Sequence, residues 1–132
     1  MTTTLTLATL PPSANIIWRT GKRGTYRNPK YVAWLEAEGL LLKSQLRGQK
    51  KYDAPVYVKM ELRRPRKNSD LDNRLKGTGD LLQAIGAITD DKLIIGWIAY
   101  WADDLPKGVA AEITIFSIAP NWWPGNMRAV AA

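Results

Sequence analysis

The ten residues PVYVKMELRR at 55–64 alternate apolar and polar side chains along their length. Val56, Val58, Met60 and Leu62 fall on one face, and Tyr57, Lys59, Glu61 and Arg63 on the other. Successive side chains of an extended chain point to opposite sides, so this pattern requires a strand with one face on a core and the other toward solvent. Everything else in the chain has to supply that core.

Residues 4–10, TLTLATL, alternate threonine with leucine or alanine and read as a first strand, which the pair Pro11-Pro12 must end. Five cations and two glycines within residues 19–30 suggest an exposed loop. From 31 to 47, Val32, Leu35, Leu42 and Leu46 recur at near-helical spacing, with Glu36, Glu38, Lys43 and Gln45 between them. From 73 to 88, Leu75, Leu82, Ile85 and Ile88 mark a second helix, weakened at its start by Gly77 and Gly79. TDD at 89–91 breaks that pattern. KLIIGWIAYWA and AAEITIFSIA then read as two strands, and DDLPKG between them is long enough to join them as a hairpin. The tail 120–132 is expected to leave the sheet at Pro120 and to be loosely held. The order strand, helix, strand, helix, strand, strand predicts one α+β domain over all 132 residues, with a mixed sheet of about four strands and two main helices.

Nineteen Lys and Arg against twelve Asp and Glu leave a net charge of +7, a balance that favours an anionic polymer as partner. Cysteine and histidine are both absent. Their absence excludes disulfide frameworks, thiolate nucleophiles, Ser-His-Asp machinery and histidine metal ligands. Any catalysis must run on carboxylates, lysine, arginine, hydroxyls or a metal ion. No run approaches the roughly 18 apolar residues of a membrane helix, and the start MTTTLTLATLPPS lacks a basic segment ahead of a long apolar one. A soluble, cytoplasmic protein is expected.

Against that background NSDLDNRLK at 68–76 is unusual, because Asp70 and Asp72 follow directly on the basic run RRPRK at 63–67. If the chain beyond the 56–64 strand is extended, alternate side chains share a face and both carboxylates point to one place. Asp72 also suits a helix N-cap, with Lys76 four residues on. Asp90 and Asp91 sit at the far end of the same helix, where the chain must reverse, and so are able to return toward the first pair. Such acids make a hard oxygen site of the kind Mg²⁺ or Mn²⁺ prefers. An ion there would relieve their repulsion and bind a scissile phosphate, while Arg63, Arg64, Arg66 and Lys67 hold the rest of a polyanion. The plainer reading, in which the acids are caps and turn residues and Lys76 is solvated or paired with Asp72 or Asp80, stands beside it.

The set Asp70-Leu71-Asp72-Asn73, Lys76, Asp80 and, after a helix-length gap, Asp90-Asp91 resembles the RusA family of Holliday junction resolvases, often carried by prophages. LPPSANIIW at 10–18 is similar to that family's PPSxN opening, and the likeness spans roughly residues 5–118. The resemblance implies a homodimeric, Mg²⁺-dependent endonuclease that resolves four-way DNA junctions by paired nicks in recombination and repair. It assigns metal-binding and catalytic roles to Asp70, Asp72 and Asp91, a catalytic role to Lys76 and a helper role to Asp90. The glycine-rich KGTG after Asn73-Arg74-Leu75, the tryptophans and the extension NWWPGNMRAVAA depart from the family pattern.

Arg19, Lys22, Arg23, Arg27 and Lys30 are expected to contact phosphates, with Asn73 added beside the acids. A solvated loop is the competing account of the first five. Trp18, Trp34, Trp97, Trp101, Trp122 and Trp123 suit base stacking, though core or interface packing is the commoner fate of such residues. Two other functions fit the same composition: a non-catalytic DNA-binding protein, and a small metal-dependent nucleotide hydrolase with little use for a long basic surface.

Overall fold

Val56, Val58, Met60 and Leu62 are each at most 1% exposed, whereas the residues between them are half-buried. The alternation read from the sequence is therefore the burial pattern of a strand, β4 (Val56–Leu62), in the computed structural model, which describes residues 1–125. Around it stand β1 (Thr2–Leu7), β2 (Trp18–Gly21), β3 (Gly24–Arg27), α1 (Pro29–Leu46), α2 (Leu75–Ala84), β5 (Ile94–Trp101) and β6 (Ala111–Phe116). Four strands form one mixed sheet in the order β1-β6-β4-β5, and β2 and β3 form a separate hairpin. The chain is one α+β domain.

The core lies on one side of the sheet. Register pairs Leu5 with Ile113, Ile113 with Met60, and Met60 with Ala99, so these side chains share a face. Leu42 and Leu46 of α1, Leu81 and Leu82 of α2, and Ile85 at its end pack onto it. Burying that set of leucines and isoleucines, at roughly 1.5–3 kcal/mol each, is what holds helices to sheet. α1 begins where Asn28 caps it, its Oδ1 accepting from the Lys30 amide at 3.0 Å, with Pro29 next. It ends at Arg47, which adopts the left-handed conformation at φ 52°.

Three expectations need correction. Residues 94–101 and 111–116 do not form a hairpin: β5 runs parallel to β4 at the sheet edge, and β6 lies antiparallel between β4 and β1. The link between them crosses the end of β4, pinned by Arg63 N donating to Ala110 O at 2.8 Å and Ala102 N to Leu62 O at 2.7 Å. Alternation tells which face of a strand is buried and is silent on its neighbour. Secondly, residues 18–27 are a β-hairpin rather than a loop. All its residues are exposed, so it carries no alternation, and only Gly21 and Gly24 (φ +106°) around the Lys22-Arg23 turn mark it. Thirdly, the second helix is shorter than 73–88, because Gly86 turns the chain at φ +76°. Of the tail, residues 120–125 leave the strand but fold back on the open side of the sheet. There Trp123 is 8% exposed and meets Tyr57 edge-on at 5.2 Å, and Trp122 meets Phe116 at 5.8 Å. The rest of the expected loose tail, 126–132, lies outside the described residues. Among the described residues no helix is long and apolar enough to cross a membrane.

Candidate active site

The chain leaving β4 does not stay extended. Leu71 is helical at φ −71°, ψ −46°, and a 3-10 turn, Asp72–Arg74, leads straight into α2. Asp70 and Asp72 therefore do not share a face as alternating residues of a strand. Asp72 is not the N-cap either: Leu71 holds that position, and no side chain caps the turn. Its carboxylate stands exposed in the first turn, where the positive end of the helix dipole favours a negative charge. Asp70 is exposed, accepting a bond from Asn73 Nδ2 at 3.2 Å. That bond uses part of the polar capacity expected of Asn73 toward DNA.

One turn on from Asp72, the fold gathers charges tightly. Lys76 Nζ lies 3.0 Å from Asp80 Oδ1 and 3.4 Å from Asp91 Oδ2. The second pair of acids thus returns toward the first as far as Lys76 and Gly79. Asp91 packs directly along α2 at Gly79, close enough that a Cβ added there would stand in ordinary van der Waals contact with the Asp91 Cβ, at 3.6 Å. The Asp91 amide donates to Gln83 Oε1 at 3.1 Å, which fixes the turn after the helix. Lys76, Gly79 and Asp91, with Leu75, Ile94 and Trp97, line a hollow of about 170 Å³.

Asp80 is the least exposed member, half-buried as a residue and with its side chain 9% exposed. Tyr31 Oη donates to its Oδ2 at 2.5 Å, and Arg27 Nη2 lies 3.8 Å from the same oxygen. Tyr31 comes from the first turn of α1 and is fully buried. Burial, and then the bond to Asp80, push its hydroxyl well above the usual phenol range. The bond to Asp80 likewise holds the Lys76 ammonium pKa above its ordinary value. Partial burial opposes this, and Asp91 adds to it. The i,i+4 spacing offers Asp80 as a partner of Lys76 but assigns it no further role, and nothing in the sequence marks Tyr31.

Asp90 caps the 3-10 turn Asp91–Leu93, accepting from the Lys92 amide at 2.9 Å, and that bond holds its carboxyl below the usual range. Among the described residues no three acidic side chains converge closely enough to hold a metal ion. The four acids expected to form one cluster are divided between the start of α2 (Asp70, Asp72) and the turn after it (Asp90, Asp91).

The cations are placed unevenly. Arg19, Lys22, Arg23 and Lys30 are exposed, the first three on the β2–β3 hairpin. Arg27, by contrast, lies over the rings of Trp18 and Tyr31, at 5.6 Å from each, as well as beside Asp80. Arg64 lies over Trp101 at 5.6 Å, and with Arg66 and Lys67 it lines a surface groove that also contains Asp103. Arg63 is turned away from such use: its Nη2 donates to the carbonyls of Leu105, Pro106 and Val109 in the link to β6. Of the tryptophans, Trp18 at 55% and Trp122 at 48% are the most exposed, so base stacking by the buried Trp123 has no support.

The PPS stretch is fixed from both sides. Arg74 Nη1 donates to Pro11 O at 2.7 Å, and the buried Glu38 accepts from the amides of Ala8 and Thr9. A comparison with curated proteins found no match. The family described as Endodeoxyribonuclease RusA matches residues 9–115, which takes in the PPS stretch, the hairpin, all four acids and Lys76. The match covers most of the chain, and the protein belongs to the RusA endodeoxyribonuclease family.

Proposed function

We propose that the protein is a homodimeric, Mg²⁺-dependent endonuclease that resolves four-way DNA junctions by paired symmetric nicks, acting in the cytoplasm in DNA recombination and repair, with Mn²⁺ as a substitute ion. The observation that carries this reading is the seating of Lys76 against Asp91, one turn from Asp72, within the span matched by the family. An ammonium held beside an open hollow supplies positive charge where a phosphate would develop negative charge in the transition state. The exposed hairpin cations and the Arg64, Arg66 and Lys67 groove supply the sequence-independent attraction a DNA backbone needs.

Asp70, Asp72 and Asp91 are our candidates for the metal ligands, with Asp90 as helper. Their chemistry suits a hard cation, since all donors are carboxylate oxygens in a chain without histidine or cysteine. Their present arrangement does not: no three acids converge among the described residues, and Lys76 holds the Asp91 carboxylate. That same observation favours the second reading, a basic DNA-binding protein that cuts nothing. Two cuts placed symmetrically require two sites, which is the reason for proposing a C₂ dimer.

The deciding experiment offers purified protein a mobile four-way junction, a duplex of the same sequence and a single strand, with Mg²⁺, with Mn²⁺ and with chelator. Paired, ligatable nicks in opposing strands of the junction alone, abolished by chelator, are expected. Equal cutting of duplex, or activity from a monomer, refutes the resolvase reading. Tight binding without metal-dependent cutting establishes the second one.

A further inference from the structure

Lys76 is 55% exposed on a long flexible stem, which by itself does not fix where the ammonium rests. A free lysine side chain carries on the order of 2 kcal/mol of rotamer entropy. The contact to Asp91, at 3.4 Å, is the longer of its two ion pairs. The shorter, at 3.0 Å, is to a carboxylate only 9% exposed. A buried carboxylate needs compensating donors, and three elements bring them to Asp80: Lys76 from α2 itself, Tyr31 from α1 and Arg27 from β3. Tyr31 is fully buried and stacks on Trp34, with ring centroids 6.0 Å apart and planes 21° from parallel, so its hydroxyl is a fixed donor rather than a mobile one. Asp80 is thereby held from the core side, and Lys76 is held by Asp80.

We propose that Asp80 is a positioning residue of the cutting site: with its carboxylate fixed by Tyr31, it carries the Lys76 ammonium to the wall of the hollow where it faces Asp91. The inference rests on the endonuclease reading for its catalytic consequence, but not for its geometry. It also gives the hairpin a second part to play, because Arg27 completes the Asp80 contacts from the strand that follows the Lys22-Arg23 turn.

The geometric test needs neither DNA nor metal. In ¹⁵N-labelled protein at low temperature, a tethered ammonium gives an observable Nζ–H signal. That of Lys76 is assigned by its disappearance in Lys76→Ala. The signal is expected to vanish in Asp80→Asn and to weaken in Tyr31→Phe; its survival unchanged in Asp80→Asn overturns the proposal. The catalytic test is single-turnover cutting of a four-way junction with enzyme in excess. Asp80→Asn should slow the cutting step about 10- to 100-fold, the range expected when a reacting group shifts by about 1 Å, while junction affinity in chelator stays within about twofold. In the Lys76→Ala background, Asp80→Asn should cost nothing further, since its effect runs through the lysine. Effects that multiply instead overturn the proposal, because they mean that Asp80 acts on the fold at large. If Asp80→Asn does not fold, Tyr31→Phe with and without Lys76→Ala decides by the same criterion. Failure of the wild-type protein to cut any junction refutes the endonuclease reading, while the ammonium signal still decides the positioning.

Discussion

Replacing Arg63 with alanine separates two fates that a basic strand end can have. A phosphate-binding arginine contributes to affinity and little to stability; this one donates from Nη2 to the carbonyls of Leu105 at 2.8 Å, Pro106 at 3.1 Å and Val109 at 3.1 Å. The Leu105 and Val109 bonds are partly buried, and the Pro106 bond is exposed. A partly buried bond contributes about 1 kcal/mol net, somewhat more with a charged donor, so Arg63→Ala should cost about 2–3 kcal/mol, with little from the exposed contact. For a chain of this size that lowers Tm by roughly 6–15 °C. Urea unfolding at fixed pH gives the free energy directly, and an unchanged m-value would show that the effect lies in the native state. DNA affinity of the folded variant, measured over a salt series, should keep the wild-type slope. A variant of wild-type stability whose slope falls by about 0.9, the value of a single neutralised phosphate, would place Arg63 on DNA and refute the assignment.

Asp70→Asn and Asp72→Asn should each abolish junction cutting while leaving binding intact or tighter, because each removes an exposed negative charge as well as a candidate ligand; gel-shift and nicking assays on one preparation compare the two, and a parallel fall in both refutes the ligand role. Substituting Lys22 and Arg23 together at the hairpin turn should weaken binding and flatten the salt slope by about 0.9 for each phosphate they neutralise, with no change in Tm. The Tyr100 hydroxyl, donating to Glu61 at 2.6 Å, is pushed up to about 12 by that bond first and by partial burial next. Its folded pKa lies above the unfolded value, so the bond's stabilisation is complete below about pH 10 and is lost as pH rises toward 12. Absorbance titration near 295 nm should show the phenol transition near pH 12, assigned to Tyr100 by its loss in Tyr100→Phe, moving to lower pH in Glu61→Gln, and an unchanged curve would show that the bond does not hold the proton.

The two helices and the β4 face are legible because burial imposes a period, and a period survives in sequence whatever the partners are. Val56, Val58, Met60 and Leu62 carry that signal alone. Neighbour choice leaves no such trace, so proximity in sequence suggests pairing β5 with β6, whereas Ala102 N and Arg63 N hold the link across the end of β4. Trp18 to Arg27 escape notice as strands for the opposite reason: with every residue exposed, nothing alternates. At the candidate site, sequence spacing puts Asp72, Lys76 and Asp80 in helical neighbourhood and suggests that Asp91 returns. It misplaces Asp72 as a cap because one residue, Leu71, turns helical sooner than an extended chain would. Tyr31 is invisible: an aromatic residue in the first turn of a helix reads as core, and only the three-dimensional approach of α1 to α2 sets its hydroxyl on Asp80.

The strand order has a consequence for how the chain comes to be folded. β6, the last strand among the described residues, occupies an interior position, and its residues 111–116 are the sheet neighbours of residues 2–7. The first strand thus waits for the last, and a loop of nearly the whole chain must close before β1 is paired, a kind of contact that slows folding. The chain just beyond β1 is held separately, by Glu38 of α1 at Ala8 and Thr9 and by Arg74 at the Pro11 carbonyl at the entrance to α2. During synthesis the residues of β4, α2 and β5 emerge before those of β6. The acids and Lys76 lie within residues 70–91 and the wall of the hollow within residues 75–97, so what waits for residue 116 is the pairing of β6 with β4 and β1 behind them.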